Sequence, residues 1–288
     1  MKKLTMLLVA GLIAVSASAQ KPAYQLYRES GKKVKYQKMV EAASGADIVL
    51  FGEQHTNPIS HWLQLELTQD LHQDRGDNLV LGAEMFEADN QLILNEYLAD
   101  LITETKFEEE ARLWKNYPTD YKPLVLFAKE NELAFIATNI PRRYANSVFK
   151  QGVSVLDSLS EEAKVFIAPL PLEYDTSLNC YNQLIHGDEM GGPGSINMAD
   201  AQAIKDATMT HFIMESWQPG KILIHYNGAY HSDEFESMNW FLLKDNPELK
   251  IVTISTVYQD DVTALEEESQ GKADFIICVP SSMTKTMR

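Results

Sequence analysis

Cysteine is nearly absent from this chain. Cys180 and Cys278 are the only two in 288 residues, so a disulfide-dense scaffold is excluded, and their spacing fits no zinc motif. One bridge between them stays open. So does a buried thiol at Cys278, which sits in the apolar run FIICV. Positive charge is also scarce. Lys and Arg number 25 against 41 Asp and Glu, a formal net charge of −16. A partner that needs a broadly basic surface, such as nucleic acid or anionic lipid, is therefore not expected, although a local basic patch inside the acidic whole stays open. Beyond the first twenty residues there is no apolar run long enough for a transmembrane helix. A Walker loop, a Gly-x-Ser-x-Gly elbow and a His-Glu-x-x-His helix are missing as well, which removes the motif-defined NTPases, serine hydrolases and zinc peptidases of those types.

The chain opens with MKKLTMLLVAGLIAVSASAQ. Lys2 and Lys3 supply a basic start, residues 4–15 a short apolar core, and Ala17-Ser18-Ala19 a small-residue cleavage site. We expect residues 1–19 to be a signal peptide and the protein to be exported to the periplasm or cell envelope. No Cys follows the site, so no diacyl-lipid anchor is expected.

From there the pattern alternates. Short apolar runs at 46–52, 78–84, 133–139, 221–227, 249–255 and 274–280 are bounded by turn residues, and most lead into segments with helical spacing. Continuous apolar runs suggest strands buried on both faces, and strand-helix alternation suggests a parallel sheet. The expected fold class is α/β, a largely parallel central sheet with helices on both faces, in a single domain over residues 20–288. Two stretches break the rhythm, near 102–132 and 155–217. Both read as helical insertions able to form a lid. The second contains the Gly-rich run GDEMGGPGS, then a long amphipathic helix.

Chemistry collects where the strands end. In an open parallel sheet ligands bind beyond the carboxyl ends of the strands. Here those ends carry Glu53 and His55, then Glu84, then Asn139 with Arg142 and Arg143, then Tyr230 and His231. Taken singly, each has a plainer explanation: a loop histidine, a helix-capping glutamate, a turn. Taken together, two Gly-x-x-His segments, Gly52 to His55 and Gly228 to His231, each following an apolar strand, favour one functional rim. His61, His72 and His211 read as helix-face residues, His61 being the one whose helix starts at the same rim. His225 alternates with apolar neighbours and could face a helix layer. His186 lies beside the flexible run and could fold over a ligand. Met190, Met198, Met209 and Met214 more readily pack a core than ligate, yet would suit a lid over a flat apolar ligand.

At these residues the chain resembles a family. FGEQHTNPISHWLQLEL, AEMFEADNQ, ATNIPRR, DAQAIKDATM and YNGAYH are together similar to the ChaN-like haem-binding proteins of the wider Tiki/erythromycin-esterase-like superfamily. The resemblance runs from about residue 46 to 231. It implies haem as cofactor, a homodimer, and a role in iron uptake beside an outer-membrane receptor. It carries over to His55, Glu84, His231 and Arg143, with Glu53 beside His55. The lipid-bearing Cys of the family is missing here.

Two mechanisms fit one rim. In the first, a binding protein, the porphyrin lies in an apolar slot under the Met-rich helix that includes Met209. Arg142 or Arg143 pairs with propionates, and Tyr230, His231 or His186 ligates iron. In the second, a hydrolase, His55, Glu84 and His231 hold a divalent metal such as zinc and Glu53 acts as general base, or a His–Glu pair activates water with no metal. One objection stands against the first: two neighbouring carboxylates would repel propionates.

Overall fold

The computed structural model describes residues 21–187 and 195–287. The expected signal segment, residues 1–19, lies outside the described residues, as does nearly all of GDEMGGPGS, including Met190.

Among the described residues seven strands form one sheet: β1 (Gln25–Arg28), β2 (Ile48–Glu53), β3 (Leu79–Glu87), β4 (Phe135–Asn139), β5 (Ile222–Gly228), β6 (Ile251–Gln259) and β7 (Phe275–Pro280). Their spatial order is β1-β7-β6-β2-β5-β3-β4. β1 runs antiparallel to β7, and every other neighbouring pair is parallel. The α/β class and the mostly parallel sheet are as the sequence pattern indicates. β2, β5 and β7 are buried along their whole length, which explains why they read as unbroken apolar runs. Alternate residues serve opposite layers: Val49 and Phe51 join one hydrophobic cluster, Ile48 and Leu50 another.

Three departures have physical causes. β1, QLYR, has no apolar run to announce it, and pairing with the edge of β7 makes it a strand. β2 runs one residue further than expected, so Glu53 is itself its last residue. β3 continues past Glu84 to Glu87 through an irregularity in its pairing with β4, between Ala83 and Glu87, the kind of break that re-aims a side chain.

The helices are α1 (Tyr36–Ser44), α2 (Pro58–Arg75), α3 (Gln91–Leu98), α4 (Glu104–Glu110), α5 (Lys122–Glu130), α6 (Arg142–Gln151), α7 (Glu161–Lys164), α8 (Asn179–His186), α9 (Ile196–Ser216) and α10 (Met238–Asp245). α2 begins where it does because the Asn57 side chain accepts hydrogen bonds from the Ile59 and Ser60 amides, each at 2.9 Å, with Pro58 at the first helical position. None of the described helices is long and apolar enough to cross a membrane. Residues 102–132 are helical but do not stand off as a lid. Phe107, Tyr117, Tyr121, Leu124 and Val125 belong to the main core, because α5 is the crossover that carries the chain into β4. α8 and the first half of α9 do lie over the strand ends.

The two cysteines are not paired. Cys180 sits in a cluster under α8 and α9, Cys278 in one behind β7, and burial pushes each thiol up to about 12. A thiol-reactive dye should therefore label neither in the native protein within minutes. In denaturant without reductant it should label two thiols per chain; fewer would point to a bridge.

Candidate functional site

The strand ends open into a cavity of about 940 Å³, at the upper end of what a small-molecule site requires. Glu53, His55, Glu84, Asn139, Arg142, Tyr230 and His231 all line it, so seven of the eight residues expected at the rim converge. The tightness of the floor rests on two glycines. A Cβ on Gly52 would lie 2.9 Å from both the Ala229 Cα and the Ile254 carbonyl oxygen, and one on Gly228 2.8 Å from His55 Cε1. The first would clash with backbone and the second could be met only by displacing the His55 ring, so both Gly-x-x-His segments use their glycine for close approach.

Two carboxylate–imidazole pairs make the floor. Glu53 is enclosed, while the His55 side chain is 43% exposed. His55 Nδ1 donates to Glu53 Oε1 at 2.9 Å, which fixes the tautomer and leaves Nε2 to the cavity. Tyr121 donates to the same oxygen at 2.7 Å, and Gln64 to Oε2 at 2.6 Å. Trp114 sets its edge against the His55 ring, centroids 5.0 Å apart. Burial works to lower the His55 pKa, but the Glu53 hydrogen bond and the charge of Glu84 outweigh it and raise it, with His231 opposing.

In the second pair His231 is held from both sides. Its Nδ1 meets Asp206 Oδ1 at 2.5 Å and its Nε2 faces Glu84 Oε1 at 3.4 Å. Tyr181 donates to the other Asp206 oxygen at 2.8 Å, and the Gly228 amide to Glu84 Oε2 at 2.7 Å. Burial would depress the His231 pKa, but Glu84 and Asp206 carry it up to about 10. Against the penalty of burial, the charges of His231 and His55 and the Gly228 amide hold Glu84 well below the usual carboxylate range. Burial wins at Asp206, whose pKa is raised despite His231.

This arrangement corrects the expected metal triad of His55, Glu84 and His231. His231 is held between two carboxylates, its Nδ1 at Asp206 and its Nε2 facing Glu84, and one Glu84 oxygen is taken by a backbone amide, so the three side chains do not turn toward one common point. No group of three or more His, Cys, Asp or Glu among the described residues is placed to hold a metal ion.

Three other expectations also move. Arg143 does not line the cavity: it is bound to Asp89 at 2.6 Å and lies over the Tyr144 ring. Asp89 also holds Arg112, which pairs with Glu87 at 3.1 Å, so Arg143 braces a loop cluster beside the mouth. His186 ends α8 and is exposed, away from the cavity lining. Met209 is fully buried against Leu50 and Leu223. The part of α9 that reaches the cavity lies one to three turns earlier, at Met198, Ala201, Gln202 and Lys205. Of the remaining histidines, His225 is buried between Thr138 and Asn227, and His61 is buried directly behind the rim. The sequence reading did not single out Asp206, Lys205, Gln202 or Trp114. Asp206 had a faint signal, a carboxylate on the face of α9 that otherwise carries Met209 and Ile213.

The upper walls are apolar: Ile140, Ala145, Phe149, Leu184 and Met198. Every carboxylate in the lining has a cationic or hydrogen-bonding partner, Glu53 with His55, Glu84 with His231, Glu87 with Arg112. Arg142 and Lys205 have no carboxylate partner among the described residues. The Asn139 Oδ1 is buried without a partner.

An open α/β sheet whose strand ends carry a cavity with apolar walls, a floor of paired carboxylates and imidazoles, and Arg142 and Lys205 at its side has the form of a small-molecule site. Residues 39–242 match the family described as haem-binding uptake, Tiki superfamily, ChaN, and the chain belongs to that family. A solved structure of ChaN from Campylobacter jejuni, described as showing cofacial haem binding, is similar in fold. The TM-score is 0.66 at 17% identity, covering 88% of this chain and 96% of that one. An erythromycin esterase mutant in its open conformation aligns at TM-score 0.51 and 12% identity, over 91% and 98% of the two chains. A succinoglycan biosynthesis protein aligns at 0.52 and 13%, over 90% and 94%. A search of curated proteins found no significant sequence match.

Two expectations follow from the floor. Gly228→Ala should force the His55 ring aside and cost about 1–3 kcal/mol, read as a lower melting temperature together with shifted His55 ring ¹⁵N resonances. The His231 pKa is raised from 6.5 to about 10, so the stability it contributes is complete below the lower value and is lost as pH rises through the upper one. The stability gap between wild type and His231→Asn in urea melts should narrow across that interval.

Proposed function

We propose that this protein binds haem in the strand-end cavity and serves haem or iron acquisition or storage in the bacterial envelope. The observation that carries the reading is the cavity's charge arrangement under apolar walls. Its carboxylates are already partnered, which answers the objection that they would repel propionates. Arg142 and Lys205 are left to make charge-assisted bonds to those groups. The porphyrin would lie against Ile140, Phe149, Leu184 and Met198. His55, with Nδ1 tied to Glu53 and Nε2 toward the cavity, is the side chain best prepared to meet iron; a carboxylate behind an imidazole strengthens it as a ligand. Tyr230 also lines the cavity, but its hydroxyl donates to the Cys180 carbonyl, and His231 is committed to its two carboxylates. Haem when bound would supply the iron chemistry; the chain supplies binding and orientation. Export rests on the MKK-start segment, and the homodimer and outer-membrane receptor belong to the same proposal. Phe149 and Ile196, about half exposed, offer apolar surface at or beside the mouth.

A second reading has one observation in its favour. A tautomer-fixed His55–Glu53 pair facing a roomy cavity is the arrangement of a general base that takes a proton from water, and this needs no metal. It would make the protein a hydrolase.

Haemin titration followed by absorption separates the two. We expect a saturable Soret change at about one haem per chain, a band shift in His55→Ala, and about tenfold weaker binding in Arg142→Ala and Lys205→Ala, the scale of one charge-assisted hydrogen bond. No saturable change, with His55-dependent hydrolysis of a panel of esters, would sink haem binding and favour the hydrolase.

A further inference from the structure

We propose that the segment after β7 positions the cavity histidine from behind, with Thr286, Asp120 and His61 as positioning residues for His55. A continuous run of buried polar contacts supports this. Thr286 donates its hydroxyl to Asp120 Oδ2 at 2.6 Å and its backbone amide to the Thr56 carbonyl at 3.0 Å. Asp120 Oδ2 lies 3.4 Å from His61 Nε2, and His61 Nδ1 lies 3.4 Å from Glu53 Oε2. Glu53 in turn holds His55 Nδ1. The His55 carbonyl is gripped from the same side, by His61 Nε2 at 3.1 Å and by Asn116 Nδ2 at 2.8 Å. Asn116 also donates to Asp120 Oδ2 at 2.7 Å.

Both ends of His55 are thus set by one network, the ring through Glu53 and the backbone through His61 and Asn116. His61 faces only acceptors: Gln64 Oε1 and Glu53 beside Nδ1, the His55 carbonyl and Asp120 beside Nε2. Turning the Gln64 amide over would set its oxygen against the Glu53 carboxylate, so the orientation is fixed by charge. Enclosed by these contacts, the ring links the position of Asp120 to the rim. The half-buried Thr286 is the outermost link. It reaches Asp120 from a segment that is mostly exposed. The strand ends alone would leave the 53–57 loop held from the sheet side; the added strap closes it from the outside.

The inference rests on the reading that His55 faces the ligand, and its test separates the two. Long-range ¹H–¹⁵N spectra of the histidine rings are recorded on the ligand-free full chain for wild type, Thr286→Val and Thr286→Ser, with Asp120→Asn as the second interruption. Haemin titrations follow on the same samples. Thr286→Val keeps the side-chain shape and the backbone bond to Thr56 and removes only the hydroxyl donor. We expect it to shift or broaden the His55 ring resonances and to raise the haemin Kd about three- to tenfold, on the scale of one ordinary hydrogen bond. Thr286→Ser should restore both. His55 resonances identical to wild type in Thr286→Val and Asp120→Asn would overturn the positioning role. A wild type that shows no saturable haemin change would overturn haem binding instead, and the ring spectra would still decide whether the strap positions His55.

Discussion

Burying a carboxylate is costly unless something pays for its charge, and at this rim each buried glutamate is matched to an imidazole. Glu53 ends β2 and Glu84 lies near the end of β3, with β5 between them, and His55 and His231 come back over them from the two glycine turns. The rest of the site follows from that pairing. It fixes the His55 tautomer, raises the pKa of His231, which ties α9 to the sheet through Asp206, and gives two buried negative charges a partner at the cavity floor. Removing one partner would leave a naked charge behind, so the four side chains stand or fall together.

The same pairing decides what the cavity is not. Two histidines and two glutamates at strand ends suggest a metal centre when read as a composition. In space, Asp206 claims one nitrogen of His231 and Glu84 the neighbourhood of the other. The donors point at one another rather than at a common point. What remains to face the cavity is one histidine nitrogen, two cations without a carboxylate salt bridge among the described residues, and an apolar wall, a set better suited to a flat amphipathic anion than to a bare divalent ion.

The cations show how a neighbouring residue can take opposite roles. Arg142 and Arg143 are adjacent at the start of α6, and nothing in PRR distinguishes them. A helix turns them about 100° apart, so one looks over the cavity while the other reaches Asp89. The methionines of α9 divide differently: Met198 and Met209 share nearly one helix face, but about three turns of axis separate them, so Met198 reaches the cavity and Met209 packs in the core.

The order of apolar runs determined the parallel sheet, because strands buried on both faces must be apolar throughout, and it determined that glutamate and histidine would gather at the carboxyl ends. The glycines of the two Gly-x-x-His segments were legible for the same reason, since only glycine lets the turn close on the next strand. β1 was not legible, because four residues with polar ends become a strand only by pairing with β7. Nor was Asp206, whose partner His231 lies 25 positions away, nor the link from Thr286 to Asp120, which spans 166. Those contacts, the separation of Arg142 from Arg143, and the unpaired state of Cys180 and Cys278 were decided by tertiary structure alone, since helix phase and sheet order set which distant side chains meet.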